Sequence, residues 1–207
     1  VGTDSHTPAN GGVGMLAIGV GSVEGASIPA GEPLNIPMPE VMGIHLTGRF
    51  AEWVSAKDII LTLLQRHSVK GGTNRILEYY GPGVATLSAM DRHVIANMGT
   101  ELGATSSVFP SDEETQRFLA ENGRAHDYVA RAADDGAGFD HHDSIDLSTI
   151  VPMIALPSSP DKVVTVREAA GAPLYQAYIG SSANPGYRDF AIAAMMLDGR
   201  SIAAGVS

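Results

Sequence analysis

Val41-Met42-Gly43-Ile44-His45-Leu46-Thr47-Gly48, then Ser55-Ala56-Lys57-Asp58 and the run onward to Leu64, then Arg75-Ile76-Leu77-Glu78-Tyr79-Tyr80, make up the stretch that decides the fold. The first run alternates in part between apolar and polar residues and predicts a strand. Ser55, followed three positions later by Asp58, is a capping-box-like helix start with Asp in place of the usual Glu. Behind it the apolar residues Ile59, Ile60, Leu63 and Leu64 recur at helical spacing. Gly71-Gly72 ends that unit, and Arg75–Tyr80 predicts a second strand, stopped by Gly81-Pro82-Gly83. Strands alternating with helices point to α/β layers.

Working outward, residues 91–103 predict a helix on which Asn97 and Glu101, four apart, share one face. Ser111-Asp112-Glu113-Glu114 reads as a full capping box, Ser111 at the N-cap and Glu114 at N3. It opens a helix that carries Phe118 and Leu119 and stops near Gly123. Residues 132–143 read as a loop, followed by a strand near Ser144–Ile150 and a stretch carrying Pro152, Pro157 and Pro160. A strand at Ala177–Gly180 and a helix from Tyr187 to Leu197 complete the expectation. On the other side, Pro33, Pro37 and Pro39 mark a linker. The small residues before it predict a helix around 12–24, packed closely on its neighbours because Gly and Ala permit close backbone approach. Met98 and the Met195-Met196 pair are expected to fill core gaps.

The 207 residues suit one moderately large domain, or one domain plus pieces of another. Hydrophobic content of 44% marks a folded chain and not a disordered one. A net charge of −10 argues against nonspecific nucleic-acid binding, which needs a basic surface. Absence of cysteine removes disulfides and any fully Cys-ligated iron–sulfur cluster held by this chain alone. No apolar run approaches the roughly 18 residues of a membrane span. With no signal-peptide pattern either, the expectation is a cytoplasmic protein with neither membrane nor nucleic-acid partners. A first residue of Val and not Met suggests a processed chain or a fragment.

Chemistry concentrates in Val1-Gly2-Thr3-Asp4-Ser5-His6-Thr7, a carboxylate, a hydroxyl and an imidazole in a row before Gly11-Gly12-Val13-Gly14. Asp4, Ser5 and His6 are not one triad, because adjacent side chains diverge. The alternative is a turn in which Asp4 or Ser5 caps the following helix. The glycine spacing is weak evidence for a nucleotide, since no strand precedes it and no Lys follows. Asp140-His141-His142-Asp143 has metal-ligating residue types, yet adjacent histidines in a Gly/Ala/Asp loop are usually solvated. His45, His67, His93 and His126 are isolated and read as surface or satisfied core positions.

These pieces resemble the aconitase superfamily, most closely the mitochondrial-type aconitate hydratases. The resemblance rests on Gly2-Thr3-Asp4-Ser5-His6-Thr7-Pro8, more loosely on Ala17–Gly21, then on Val69–Thr73 and Glu78–Val84. Its strongest part is Asn97-Met98-Gly99-Thr100-Glu101 with Gly103–Pro110, and its last is Ile179-Gly180-Ser181-Ser182-Ala183-Asn184. It implies a layered domain with helices around a mainly parallel sheet. Residues 1–35 would end a first aconitase-like domain, 36–150 form a second, and 151–207 form a linker and the start of a third.

The resemblance further implies a hydro-lyase that interconverts hydroxy-tricarboxylates such as citrate and isocitrate by removing and re-adding water. Such enzymes use a [4Fe-4S] cluster as Lewis acid. His6 would pair with Glu101 to handle protons, Asp4 would orient a histidine outside this chain, and Ser5 would bond a substrate carboxylate. Asn97, Asn184 and Ser182 would lie at the cluster. Ser182 stands where the family's first cluster cysteine falls, Ala183 replaces the following Thr, and a hydroxyl is a far poorer iron ligand than a thiolate. No cofactor is therefore expected in this chain, which alone should be inactive. Its partners would be a small tricarboxylate or hydroxy-acid substrate and the remaining domains of a parent protein or a partner subunit. The alternative is a degenerate, cluster-free aconitase-like module with a binding or structural role.

Overall fold

The computed structural model describes residues 1–183 and 186–207. Its centre is the strand–helix–strand unit the sequence announces: β1 (Glu40–Thr47), α2 (Ala56–His67) and β2 (Arg75–Tyr80), preceded by a short helix α1 (Ser22–Ser27). The unit repeats through α3 (Ala89–Met98) into β3 (Ser106–Val108). After α4 (Glu113–Glu121), β4 (His141–Asp146) joins the far side. The sheet order is β3-β2-β1-β4 and each neighbouring pair is parallel. Such strands need crossovers, which α2 and α3 supply.

Period-two alternation puts Met42, Ile44 and Leu46 of β1 and Leu77 and Tyr79 of β2 on one face. There they join Ile59, Ile60, Leu63 and Leu64 of α2 and Val94, Ile95 and Met98 of α3 in one buried core. The Ser55–Asp58 capping box forms, with Ser55 N–H donating to Asp58 Oδ2 at 2.7 Å. Oδ1 of the same carboxylate accepts from Met153 N–H at 2.7 Å. This fastens an antiparallel pair, β5 (Met153–Ala155) and β6 (Val163–Thr165), to the start of α2. A short α5 (Val166–Ala169) follows, and α6 (Tyr187–Leu197) closes the chain.

Several expectations are corrected. There is no helix over 12–24. A 3-10 turn spans Thr7–Val13, an irregular segment follows, and α1 begins at Ser22. The α4 N-cap is Asp112, one residue after the expected Ser111, and its carboxylate accepts from Glu114 and Thr115 N–H. His141 and His142 belong to β4, which ends at Asp146, so the 132–143 loop is shorter than expected. Ala177–Gly180 is not a strand. α6 buries none of its residues, and Met195 and Met196 are exposed while Met98 is in the core. No helix among the described residues is long and apolar enough to cross a membrane.

Candidate functional site

Asp4 shapes the N-terminal segment. Its Oδ1 accepts the His6 backbone N–H at 2.7 Å, and its carbonyl accepts from Thr7 N–H and from Thr7 Oγ1. This tight turn feeds the Thr7–Val13 3-10 segment, which packs on α3 and β3. His6 is thereby held against the C-terminal end of α3. Its Nδ1 lies 2.7 Å from Asn97 Oδ1. Its Nε2 lies 2.6 Å from Ser182 Oγ. Asn97 closes the ring by donating from Nδ2 to the Ser182 carbonyl at 3.0 Å.

These three contacts settle the imidazole's tautomer. Asn97 is only 1% exposed. Its Nδ2 must face the Ser182 carbonyl, because two oxygens cannot share a hydrogen bond without a proton between them. Its Oδ1 therefore faces His6 and accepts from Nδ1–H. In the neutral ring Nε2 then carries the lone pair and accepts from Ser182 Oγ–H. Half-buried His93 stands nearby, and burial first, then the neighbouring His6, hold its pKa below the usual histidine value. We expect a two-bond 15N–1H correlation spectrum to show His6 protonated at Nδ1 and bare at Nε2. In Asn97→Ala the proton should shift toward Nε2; an unchanged tautomer in a folded variant would rule out the assignment.

Glu101 does not meet His6. α3 ends at Met98, so the four-residue spacing from Asn97 no longer keeps a common face. The Glu101 carboxylate accepts from Thr100 Oγ1 at 3.0 Å and borders a cavity of about 470 Å³ shared with Lys57, Met98, Met153 and Ala183. Asp4 and Ser5 border a separate cavity of about 590 Å³ with Gly19, Asn35 and Thr105. The Ser5 hydroxyl makes no hydrogen bond among the described residues. Asn184, expected at the cluster, lies outside the described residues.

The acidic-histidine run does not converge. Asp140 accepts from Val41 N–H, His141 pairs with Glu40 at 2.7 Å, His142 bonds Tyr80, and Asp143 pairs with Arg66 and His67. Adjacent strand residues point to opposite faces, which separates the two histidines.

The sequence model of the aconitase family (aconitate hydratase) matches residues 1–207. The chain belongs to the aconitase family. It is 42% identical to a probable mitochondrial aconitate hydratase of Caenorhabditis elegans, over 94% of this chain and 27% of that protein. It is 41% identical to the mitochondrial aconitate hydratase of Saccharomyces cerevisiae, over 95% of this chain and 27% of the relative. A third relative is an aconitase-ribosomal protein bL21m fusion protein of Schizosaccharomyces pombe, 38% identical over 91% of this chain and 22% of its own length. This aconitase-family chain therefore spans about a quarter of the length of the curated relatives it matches.

Within the aconitase family the usual prosthetic group is an iron–sulfur cluster, and this chain has no thiolate to offer one. The chain has no cysteine. The hydroxyl at the expected ligand position, Ser182, is already committed to His6 Nε2. Its partnership with His6 is the feature that sequence reasoning missed, since 176 positions separate the two and no spacing signals it.

Proposed function

We propose that this chain is part of an aconitase-like hydro-lyase for citrate, isocitrate or a related hydroxy acid, and that it forms one wall of the site. The observation that carries the reading is the family match over residues 1–207, and the bonds that link Asp4 to the His6 backbone and the His6 ring to Asn97 support it. Ser5, exposed and with its hydroxyl uncommitted among the described residues, suits a substrate carboxylate. His6, with Nδ1 fixed by Asn97, is ready to take a proton at Nε2 once Ser182 yields it. Glu101 serves as a second proton-handling group, reached through its own cavity and not through His6. Asp4 holds the His6 backbone and, being exposed, can orient a histidine from another segment. On this reading residues 36–150 form a second aconitase-like domain, a proposal the parallel sheet within them supports, with 1–35 and 151–207 as pieces of its neighbours.

No dehydration step is assigned through a cluster, because Ser182 does not suit one. That same substitution favours a second reading, a cluster-free aconitase-like module that keeps the scaffold for binding or assembly. The two are separated by measuring iron content and aconitate hydration on the longest polypeptide containing this chain. Hydration supports the hydro-lyase; an iron-free protein without hydration supports the module. The 207 residues alone are expected to give no hydro-lyase turnover, and citrate–isocitrate interconversion by them would overturn that expectation.

A further inference from the structure

In the ring joining His6, Asn97 and Ser182, the hydro-lyase reading uses the imidazole but gives the Ser182 hydroxyl no role of its own. Asn97 accepts from His6 Nδ1, His6 Nε2 accepts from Ser182 Oγ, and the two heavy-atom distances are 2.7 and 2.6 Å. A hydroxyl becomes a nucleophile when a base within hydrogen-bond reach takes its proton and a third group fixes that base. We infer that Ser182 is such a nucleophile, with His6 as its base and Asn97 as the positioning residue, and that it reacts with small aliphatic carboxylic esters.

Three observations support this beyond the distances. Asn97 is buried, and both ends of its carboxamide are engaged, so it cannot flip without losing two hydrogen bonds. Ser182 is exposed, which leaves the attacking oxygen open to an incoming group. Its neighbour Ala183 borders the cavity of about 470 Å³ whose apolar wall includes Leu61, Met98, Met153 and Ile154, a place for a short acyl chain. The rival set Asp4-Ser5-His6 is not wired this way. Asp4 bonds the His6 backbone and not its ring, and Ser5 Oγ has no bond to His6.

In the first step the Ser182 Oγ–carbon bond forms while the hydroxyl proton passes to His6 Nε2. The bond from that carbon to the alcohol oxygen then breaks, and the proton moves from Nε2 to the departing alcohol. Water attacks the acyl-serine along the same path, giving the carboxylic acid and restoring Ser182. No oxidant, reductant or metal enters the balance.

The test is reaction of the full chain with an alkyl fluorophosphonate, followed by peptide mapping, alongside hydrolysis of p-nitrophenyl acetate. With the probe, the Oγ–phosphorus bond forms, the phosphorus–fluorine bond breaks and the proton passes to His6. The expected result is a label on the peptide containing Ser182 and none in Ser182→Ala. Labelling should slow by at least about 100-fold in His6→Gln, whose loss removes the base. Asn97→Ala should slow it while moving the His6 ring proton in the 15N spectrum, a change that a residue acting through stability alone, such as Asp112, would not cause. No label at Ser182 in folded protein, or labelling as fast in His6→Gln as in the parent, would overturn the inference. Either outcome is independent of whether aconitate is hydrated.

Discussion

Asp112→Ala is expected to destabilise the chain by about 3–5 kcal/mol, which is roughly 10 °C in the thermal midpoint for a protein of this size. The reason is Arg92, whose side chain is wholly buried. Its Nη1 and Nη2 donate to Asp112 Oδ1 and Oδ2, each at 2.8 Å, in a two-pronged pair. Further bonds reach the carbonyls of Pro110 and Val84, and the guanidinium sits 5.9 Å from the centre of the Phe109 ring. Removing the carboxylate leaves a buried cation without its counter-charge, and α4 loses its N-cap as well. Arg92→Met should cost less, because Asp112 is 33% exposed and regains water.

The pH dependence follows from the same pair. Burial acts to raise the Asp112 pKa, but the Arg92 hydrogen bonds and charge, with the N–H groups of Thr115 and Glu114, outweigh it and hold it below the usual range. A folded-state pKa below the unfolded value gives stability that is present above the unfolded pKa, near 3.9, and is lost as pH falls through the folded one. The midpoint gap between the parent and Asp112→Asn should therefore stay level from pH 7 to about pH 5 and close below about pH 4. Equal midpoints at pH 7 would remove Arg92–Asp112 as a main fastening of α4.

The central layers were legible because their signals are local. The apolar spacing of α2 and the Ser55–Asp58 box lie within a dozen residues, and the structure reproduces both. The failures share a different cause. Ser111 and Asp112 are equally good caps by local chemistry, and the choice falls to Asp112, which also meets Arg92, 20 positions away. Asp140–Asp143 has a loop's composition, yet its histidines enter a strand, where Glu40 and Tyr80 receive them. α3 was expected to carry Glu101, but the chain turns after Met98, with Thr100 and Glu101 N–H bonding the Asn97 and Met98 carbonyls. The site was half legible: the resemblance marked His6, Asn97 and Ser182 separately. Only the fold shows that Ser182 reaches the imidazole, a contact the resemblance did not imply.

Gly11→Ala is expected to cost more than the roughly 1–3 kcal/mol typical of an added core methyl, because nothing near it can yield. A Cβ on Gly11 would stand 1.6 Å from the Ser107 carbonyl oxygen and 2.8 Å from its carbon. That carbonyl is strand backbone, set opposite Leu77 in the β2–β3 pairing. The Gly11 carbonyl is itself tied to Phe109 N–H at 2.9 Å. Retreat the other way is blocked at Gly12, whose Cβ would lie 2.7 Å from His93 N on α3. These glycines therefore serve close packing, and they anchor the 3-10 segment that begins just after His6. Gly138→Ala is the matched control. It has open space around it and should lie within about 1 kcal/mol of the parent. Denaturant titration of the two variants tests the contrast, and near-equal stabilities would refute it. In whatever fraction of Gly11→Ala still folds, the turn must shift away from β3. His6 moves with it, so the His6 ring proton should leave Nδ1 as it does in Asn97→Ala. Stability and the wiring of the imidazole are thus expected to fail together at a residue that touches neither His6 nor Ser182 through a side chain.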